Sequence, residues 1–122
     1  MTVLIVDDDA AIRLLVRVNL ELEGHRVLDA SHLQEARTLL GDERVDVVLL
    51  DLHIGNERGL DLLAELRRER PEVAVALLTV SPQARSPKEE AKADAMISKP
   101  FEIEELGRTV RRLAERSIRA RV

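Results

Sequence analysis

The chain has 122 residues, of which 45% are hydrophobic and 34% charged, with a formal net charge of −4 and no cysteine. This length suits one folded domain, and the composition excludes a disordered chain. The lack of cysteine excludes disulfides, thiolate metal sites and cysteine nucleophiles. No apolar run approaches the roughly 20 residues of a membrane helix, and the N-terminus does not resemble a signal peptide, so we expect a cytoplasmic protein without membrane contact.

Short apolar runs alternate with helical patterns along the chain. Runs rich in Val, Ile and Leu that end in polar groups are typical of strands buried on both faces of a parallel sheet. The predicted strands cover residues 3–6, 25–30, 45–50, 73–80 and 95–98.

The first two helices have capping and termination signals. The first helix is predicted to follow the cap Asp9 and to end at Gly24, with an apolar face of Ile12, Leu15, Val16 and Leu22. The second is predicted to begin with a capping box of Ser31 and Gln34 and to end at Gly41, with a buried face of Leu33, Ala36 and Leu40.

The other three helices follow the third, fourth and fifth strands. The third is predicted after the glycines Gly55 and Gly59 and before Pro71, with Leu60, Leu63 and Leu66 facing inward. The fourth is predicted to start at Ser86-Pro87, to be short, and to pack weakly because it has almost no apolar residues. The last is predicted to cover the sheet with Ile103, Leu106, Val110 and Leu113.

Five successive βα units predict an α/β fold. Right-handed crossovers place the helices on both faces of one parallel sheet, which gives a doubly wound, three-layer sandwich. Ligands of such sheets bind just beyond the carboxyl ends of the strands. The side chains that we expect to meet there are Asp7, Asp8 and Asp9, Asp51, Thr79 and Lys99.

The three N-terminal acids have two interpretations. One aspartate before a helix stabilises its N-terminus by a few tenths to about 1 kcal/mol and needs no other role. Two carboxylates about 4 Å apart, however, repel by about 4 kcal/mol at an effective dielectric constant of about 20. The nearest basic residue in sequence is Arg13, one turn into the helix, so nothing local neutralises the acids. Oxygen ligands at a solvent-accessible edge favour Mg²⁺ as the neutralising cation, with Mn²⁺ as the alternative.

Asp51, Thr79 and Lys99 each have an ordinary and a functional interpretation. Asp51 is either a structural acid at a strand end or a nucleophile towards an activated phosphoryl group. Lys99 is either a surface lysine or the cation that pairs with a phosphoryl oxygen. Thr79 is either a β-branched strand residue or a hydroxyl donor to that oxygen.

In chain order, Asp7-Asp8, Asp51, Thr79 and Lys99-Pro100-Phe101 resemble the receiver domain of bacterial two-component response regulators, and the resemblance spans the whole chain. It implies a single receiver domain over residues 1–122 with a flavodoxin-like (βα)5 fold and the strand order 2-1-3-4-5. It also implies a phosphoacceptor switch, with self-catalysed phosphorylation and dephosphorylation only, rather than an enzyme.

The resemblance implies a role for each site residue. Asp51 accepts a phosphoryl group from a histidine kinase or phosphotransfer protein in a Mg²⁺-dependent step, and Thr79 and Lys99 contact that group. The implied metal ligands are Asp7, Asp8, Asp51 and the backbone carbonyl of His53. The bond between Lys99 and Pro100 is expected to be cis. Phosphorylation then shifts the face formed by the fourth strand, the fifth strand and the last helix, which controls a downstream protein target or output domain.

One residue departs from the family pattern at the switch. Family members usually carry Tyr or Phe three residues before the lysine, where it moves with the threonine on activation, and here that residue is Met96. A thioether fills a similar volume but has no ring. This keeps open a receiver-like binding module that signals without phosphorylation. A small phosphatase with an aspartyl nucleophile is disfavoured because no second general acid follows Asp51 at close spacing.

The partners expected from the sequence are proteins. The negative net charge gives no general attraction to nucleic acid, so we expect no direct nucleic-acid binding. The basic stretch near the C-terminus is more typical of a solvated helix face than of a binding patch; it comprises Arg108, Arg111, Arg112, Arg116, Arg119 and Arg121. The apolar spacing of the last helix is compatible with a dimer seam as well as with covering the sheet, so we expect a monomer or a weak homodimer.

Overall fold

A computed structural model describes residues 1–80 and 87–120 of the chain. The strands, numbered in chain order, are β1 (Thr2–Val6), β2 (Arg26–Ala30), β3 (Val47–Asp51), β4 (His53–Ile54), β5 (Glu57–Arg58), β6 (Ala74–Thr79) and β7 (Ala95–Ser98). The helices of the described residues are α1 (Ala10–Leu22), α2 (Leu33–Asp42), α3 (Gly59–Glu69), α4 (Pro87–Glu90) and α5 (Ile103–Ala120).

The central sheet has five parallel strands in the order β2-β1-β3-β6-β7. The short strands β4 and β5 form a separate antiparallel hairpin directly after β3. The third, fourth and fifth predicted strands are therefore β3, β6 and β7, and the predicted flavodoxin-like order is confirmed. The hairpin was not predicted, because two-residue strands are too short to show alternation.

The core lies on both faces of this sheet. Successive residues of a strand point to opposite faces, so Leu4 and Val6 pack with α2 and α3, while Val3 and Ile5 pack with α1 and α5. Each such aliphatic side chain contributes about 1.5–3 kcal/mol through burial. The three-layer arrangement predicted from the continuous apolar runs is confirmed.

Helix α1 begins as predicted but faces the core differently. The Oδ1 atom of Asp9 accepts a hydrogen bond from the backbone N–H of Ala11 at 2.9 Å, which caps the helix. Its buried residues are Val16 and Leu20, whereas Leu15 and Leu22 are 48% and 80% exposed, so the prediction was wrong for both. With 3.6 residues per turn, Leu22 lies about 200° around the helix from Leu20, so it cannot share the buried face.

Helix α2 is capped differently from the prediction. The cap is His32, whose Nδ1 accepts from the N–H of Glu35, and the Glu35 carboxylate accepts from the N–H of Ser31 at 2.7 Å. The predicted box of Ser31 and Gln34 is therefore wrong by one position. The helix also continues past Gly41 to Asp42. The predicted buried residues are confirmed: Leu33, Ala36 and Leu40.

Helices α3 and α5 bury the residues that their spacing predicts. Those of α3 are Leu60, Leu63 and Leu66, joined by Leu62. Those of α5 are Leu106, Val110 and Leu113, with Ile103 partly buried against the same cluster. Because these α5 side chains are used inside the chain, they are not available as a dimer seam.

Helix α4 is a single short turn that is held by polar contacts. The guanidinium of Arg58 donates to both carboxylate oxygens of Glu89, at 2.9 and 3.0 Å. Arg67 of α3 donates to the carbonyl of Lys92 just beyond the helix. The short length was predicted, while the predicted start at Ser86 lies outside the described residues.

The basic stretch of α5 is partly used in ion pairs. Arg111 pairs with Glu23 at the end of α1, and Arg116 pairs with Asp94 before β7. Arg121 lies outside the described residues. Within residues 1–80 and 87–120, none of the helices combines the length and the apolar character that crossing a membrane requires.

The start of α3 comes unusually close to the end of β3. The backbone N–H of Gly59 donates to the carbonyl of Leu52 at 2.9 Å. A Cβ atom on Gly59 would overlap the backbone carbonyl oxygen of Asp51, which is not part of a flexible side chain. Glycine at position 59 therefore allows the hairpin and α3 to fold back against Asp51.

Replacing Gly59 by Ala is expected to lower the free energy of unfolding by about 1–3 kcal/mol, because backbone must move to accept the methyl group. The matched control is Gly41→Ala inside α2, where a Cβ would meet nothing within 4 Å. That control should gain about 0.5–1 kcal/mol from helix propensity. Urea unfolding measures both, and a Gly59→Ala chain as stable as the wild type would contradict the close approach.

Candidate functional site

Four strand ends meet at one edge of the sheet. Asp7 follows β1, Asp51 ends β3, Thr79 ends β6 and Lys99 follows β7. Asp7, Asp8 and Asp51 each offer a carboxylate oxygen, and these oxygens all lie within 4.8 Å of one another. Asp7 and Asp51, which are 44 positions apart in sequence, thus share one pocket, as expected from the parallel order of the strands.

Lys99 joins two of these acids directly. Its Nζ lies 2.6 Å from Oδ2 of Asp7 and 3.0 Å from Oδ2 of Asp51. The side chain of Lys99 is only 10% exposed, and that of Asp7 is fully buried. No basic residue lies directly beside the acids in sequence, but Lys99 neutralises part of their charge in the folded chain. It is 92 positions from Asp7 in sequence.

Backbone N–H groups hold the remaining carboxylate oxygens. Oδ1 of Asp7 accepts from the N–H of Asp9 at 2.9 Å. Oδ2 of Asp8, which is exposed, accepts from the N–H of Gly55 at 3.1 Å. Gly55 forms the turn of the β4–β5 hairpin with a φ of +61°, a conformation that favours glycine. Asp8 thus links the end of β1 to the loop that follows Asp51.

Asp51 is a buried carboxylate with opposing influences on its charge. Burial, with a further contribution from the charge of Asp7, raises the pKa of Asp51 above its ordinary value. The hydrogen bonds from Lys99 and from the N–H of His53 act in the other direction without cancelling this effect. Burial alone would lower the pKa of Lys99, but its hydrogen bonds to Asp7 and Asp51 outweigh burial and raise that pKa.

The pocket fits a hard divalent cation. Three carboxylates and one ammonium group leave two negative charges uncompensated when all four are ionised. All donors in the cluster are oxygens, and exposed Asp8 opens it to solvent. This donor set favours Mg²⁺ or Mn²⁺ over Zn²⁺, which prefers histidine and cysteine.

The other residues singled out by sequence lie around this pocket. The backbone N–H of Lys99 donates to the carbonyl of Thr79 at 2.8 Å, and the Lys99–Pro100 peptide bond is cis. His53 is exposed at the start of β4. Met96 lies in β7 opposite Leu77 of β6, with 36% of its surface exposed.

Two contacts at the site were missed from the sequence. Arg13 of α1 donates to the backbone carbonyl of Asp7 at 2.7 Å, so it reaches the main chain of the acidic cluster rather than one of the cluster's carboxylates. Gly55 supplies the N–H that Asp8 accepts. Arg13 was noticeable as the basic residue nearest to the acids, whereas a backbone donor leaves no signal in the sequence.

Replacing Asp51 by Asn is expected to raise the free energy of unfolding of the metal-free chain at neutral pH. Because the pKa of Asp51 is raised, the folded state binds a proton more tightly than the unfolded state. That stabilisation is complete below the ordinary pKa of 3.8 and is lost as the pH rises through the raised pKa. The Asn side chain never ionises, so the variant gains most at neutral pH.

Urea unfolding of both chains in EDTA, from about pH 7 down to about pH 4, measures this difference. The advantage of Asp51→Asn should shrink as the pH falls. A variant that is less stable than the wild type at neutral pH would show that Lys99 overcompensates the burial of Asp51.

Comparison with known proteins places this geometry in a family. The family model described as the response regulator receiver domain matches residues 3–111. The chain is 33% identical over 109 residues to the phosphate regulon transcriptional regulatory protein PhoB of Pseudomonas aeruginosa, covering 86% of this chain and 48% of PhoB. It is 35% identical over 119 residues to the probable transcriptional regulatory protein TcrX of Mycobacterium tuberculosis, covering 96% of this chain and 51% of TcrX. The chain thus spans about half the length of these curated relatives.

Solved structures agree with the sequence relatives. The structure of the response regulator protein TrrA from Thermotoga maritima, in complex with Mg²⁺ and BeF, matches with a TM-score of 0.84 and 30% identity. The match covers 92% of this chain and 97% of TrrA. With the sheet order and the acidic cluster, these matches show that the chain belongs to the receiver domain family of two-component response regulators.

Proposed function

We propose that residues 1–122 form one receiver domain that works as a phosphorylation switch. Asp51 accepts a phosphoryl group from a phosphohistidine of a histidine kinase or phosphotransfer protein. The observation that carries this proposal is the pairing of buried Asp51 with Lys99 inside the acidic cluster. A carboxylate that folding has already withdrawn from water, and that lies beside the ammonium group of Lys99, is suited to accept a group that this cation can then contact.

The transfer involves one bond formed and one bond broken. A carboxylate oxygen of Asp51 bonds to phosphorus as the phosphorus–nitrogen bond of the donor breaks, and the electron pair stays on the imidazole nitrogen. Nζ of Lys99, 3.0 Å from Oδ2 of Asp51, pairs with a phosphoryl oxygen of the product. The hydroxyl of Thr79 at the end of β6 donates to another. The acyl phosphate carries about two negative charges where the Asp51 carboxylate carried one, and this added charge makes the two contacts favourable.

The residues proposed to hold Mg²⁺, with Mn²⁺ as the alternative, are Asp7, Asp8, Asp51 and the backbone carbonyl of His53. The bound cation supplies neutralisation of the charge on the transferring oxygens. Support comes from the spacing of the three carboxylates and from the structural match to TrrA, which was solved with Mg²⁺ and BeF. Asp8 is the exposed member and gives the ion its path from solvent.

The product stays on the protein, so the chain is a switch with self-catalysed phosphorylation and dephosphorylation rather than an enzyme with turnover. The family match does not favour the alternative of a binding module that never takes a phosphoryl group. Met96 takes the position of the usual aromatic switch residue, and we propose that it moves with Thr79. Thr79 lies in β6 and Met96 lies in β7, and these two strands are paired in the sheet.

Protein partners are supported by the surface next to the pocket. Leu14, Leu15, Val18 and Leu22 of α1 are between 46% and 80% exposed. Leu15 also lines an apolar groove of about 320 Å³, together with Ile12, Val80, Lys99, Pro100 and Phe101. Exposed apolar side chains of this size mark protein contacts. The groove reaches Lys99, so a donor protein bound there would lie close to Asp51.

The proposed output is a shift of the face formed by β6, β7 and α5, which controls a downstream protein or an output domain. The backbone bond from Lys99 to Thr79 joins the ends of β6 and β7, so a movement of either side chain is shared by both strands. We propose a cytoplasmic monomer or weak homodimer that binds neither nucleic acid nor membrane itself.

Incubation with acetyl phosphate and Mg²⁺ tests the proposed acceptor. Intact mass should show the addition of one phosphoryl group to the wild-type chain and none to Asp51→Asn. The matched control is Asp61→Asn, an exposed acid in the first turn of α3, which should still be phosphorylated. EDTA should prevent the addition. A wild-type chain that stays unmodified would favour the phosphate-independent binding module.

A further inference from the structure

Arg13 makes the contact with the acidic cluster that the phosphorylation chemistry does not use. Its Nη1 donates to the backbone carbonyl oxygen of Asp7 at 2.7 Å, and its Nε donates to Oδ2 of Asp29 at 3.2 Å. The side chain is 17% exposed. One guanidinium thus joins helix α1 to the end of β1 and to β2 through two separate acceptors.

The carbonyl that Arg13 holds belongs to the peptide between Asp7 and Asp8. Rotation of that peptide plane would change ψ of Asp7 and φ of Asp8, and the rotamers open to both side chains depend on these angles. On its other side, Asp7 is fixed by its N–H, which donates to the carbonyl of Ala30 at 3.1 Å. The carboxylate of exposed Asp8 is held by the N–H of Gly55, so this hydrogen bond and the preceding peptide together determine where it points.

Asp29 holds Arg13 in place. Its two carboxylate oxygens accept from Arg13 and from Arg17, which lie one turn apart on α1. Arg17 contacts the same acid but neither Asp7 nor Asp8 in the hydrogen bonds of the described residues. Arg13 and Arg17 both connect α1 to β2 through Asp29, but of these two residues only Arg13 contacts the acidic cluster. Comparing variants of the two arginines therefore distinguishes the two contacts.

We propose that Arg13 is a positioning residue for the divalent cation, which fixes the Asp7–Asp8 peptide so that both carboxylates point at the cation together with Asp51. This inference rests on the proposed function, because it concerns the same metal site. Arg13 touches neither the cation nor the phosphoryl group. It acts on the backbone between two ligands.

Electrostatics alone predicts the opposite effect of removing Arg13. A guanidinium near a cation site repels the cation, so loss of its charge should tighten Mg²⁺ binding. Loss of positioning should weaken binding, and changes to groups that orient metal ligands typically cost about tenfold or more in affinity. The sign of the change therefore distinguishes a positioning role from a simple charge effect.

Isothermal titration calorimetry with MgCl₂, well below the unfolding temperature, measures the affinity of each chain for Mg²⁺. Arg13→Met should raise the Kd for Mg²⁺ about tenfold. Arg13→Lys keeps the charge but cannot reach both acceptors with a planar fork, so it should also bind more weakly than the wild type. The matched control Arg17→Met loses the same ion-pair partner and should stay within about twofold of the wild type, since it leaves the bond to Asp7 intact.

The outcomes separate this inference from the proposed function. A wild-type chain that binds no Mg²⁺ contradicts the proposed metal site itself. If the wild type binds Mg²⁺ and Arg13→Met binds equally well or more tightly, only the positioning role is overturned. An Arg17→Met chain as impaired as Arg13→Met would also overturn it, because the effect would then come from α1 packing. If Arg13→Met does not fold, Arg13→Lys decides: wild-type affinity contradicts the role and weaker binding supports it.

Discussion

The bridge from Lys99 to Asp7 and Asp51 is the interaction on which the rest of the site depends. Three carboxylates lie within 4.8 Å of one another, and two of them are buried. A buried carboxylate without a partner costs several kcal/mol, so the acids can share this pocket only if a cation shares it as well. The lysine provides that cation, and it follows β7 rather than standing beside the acids in sequence.

The fold makes this arrangement by ordinary packing. The parallel order of β1, β3, β6 and β7 brings their carboxyl ends to one edge, and the apolar clusters on both faces hold the strands rigid behind it. Local backbone contacts then orient the acidic groups of the site. Gly55 holds Asp8, Arg13 holds the peptide between the acids, and Gly59 lets the chain turn back beside Asp51. The pocket is thus supported from the backbone as much as from side chains.

Much of this organisation was predictable from the sequence, because buried parallel strands give continuous apolar runs. The strand order, the cap at Asp9 and the meeting of Asp7, Asp8 and Asp51 follow from that pattern and from the resemblance. Contacts between distant positions were not predictable in the same way. The lysine at 99 was expected near a phosphoryl group, but its pairing with Asp7 depends on distances that sequence spacing does not contain.

The incorrect predictions for helices α1 and α2 also have physical causes. Leu15 and Leu22 were assigned to one apolar face with Ile12 and Val16, although a helix of 13 residues buries only the face that its neighbours cover. His32 caps α2 in place of Ser31 because an imidazole nitrogen can accept a backbone hydrogen bond as a hydroxyl can. Exposed Leu15 lines the groove that reaches Lys99, so this deviation from the predicted pattern falls next to the site.

In the proposed switch, Lys99 exchanges its bond to Asp51 for one to a phosphoryl oxygen and so transmits the modification to β7. Amide hydrogen exchange with Mg²⁺, with and without beryllofluoride as a phosphoryl mimic, tests this most directly. Protection should change in β7 and the first turn of α5 and stay constant in α2, and Asp51→Asn should show no change. Identical amide exchange of β7 and α5 with and without beryllofluoride in the wild-type chain would contradict the transmission through Lys99.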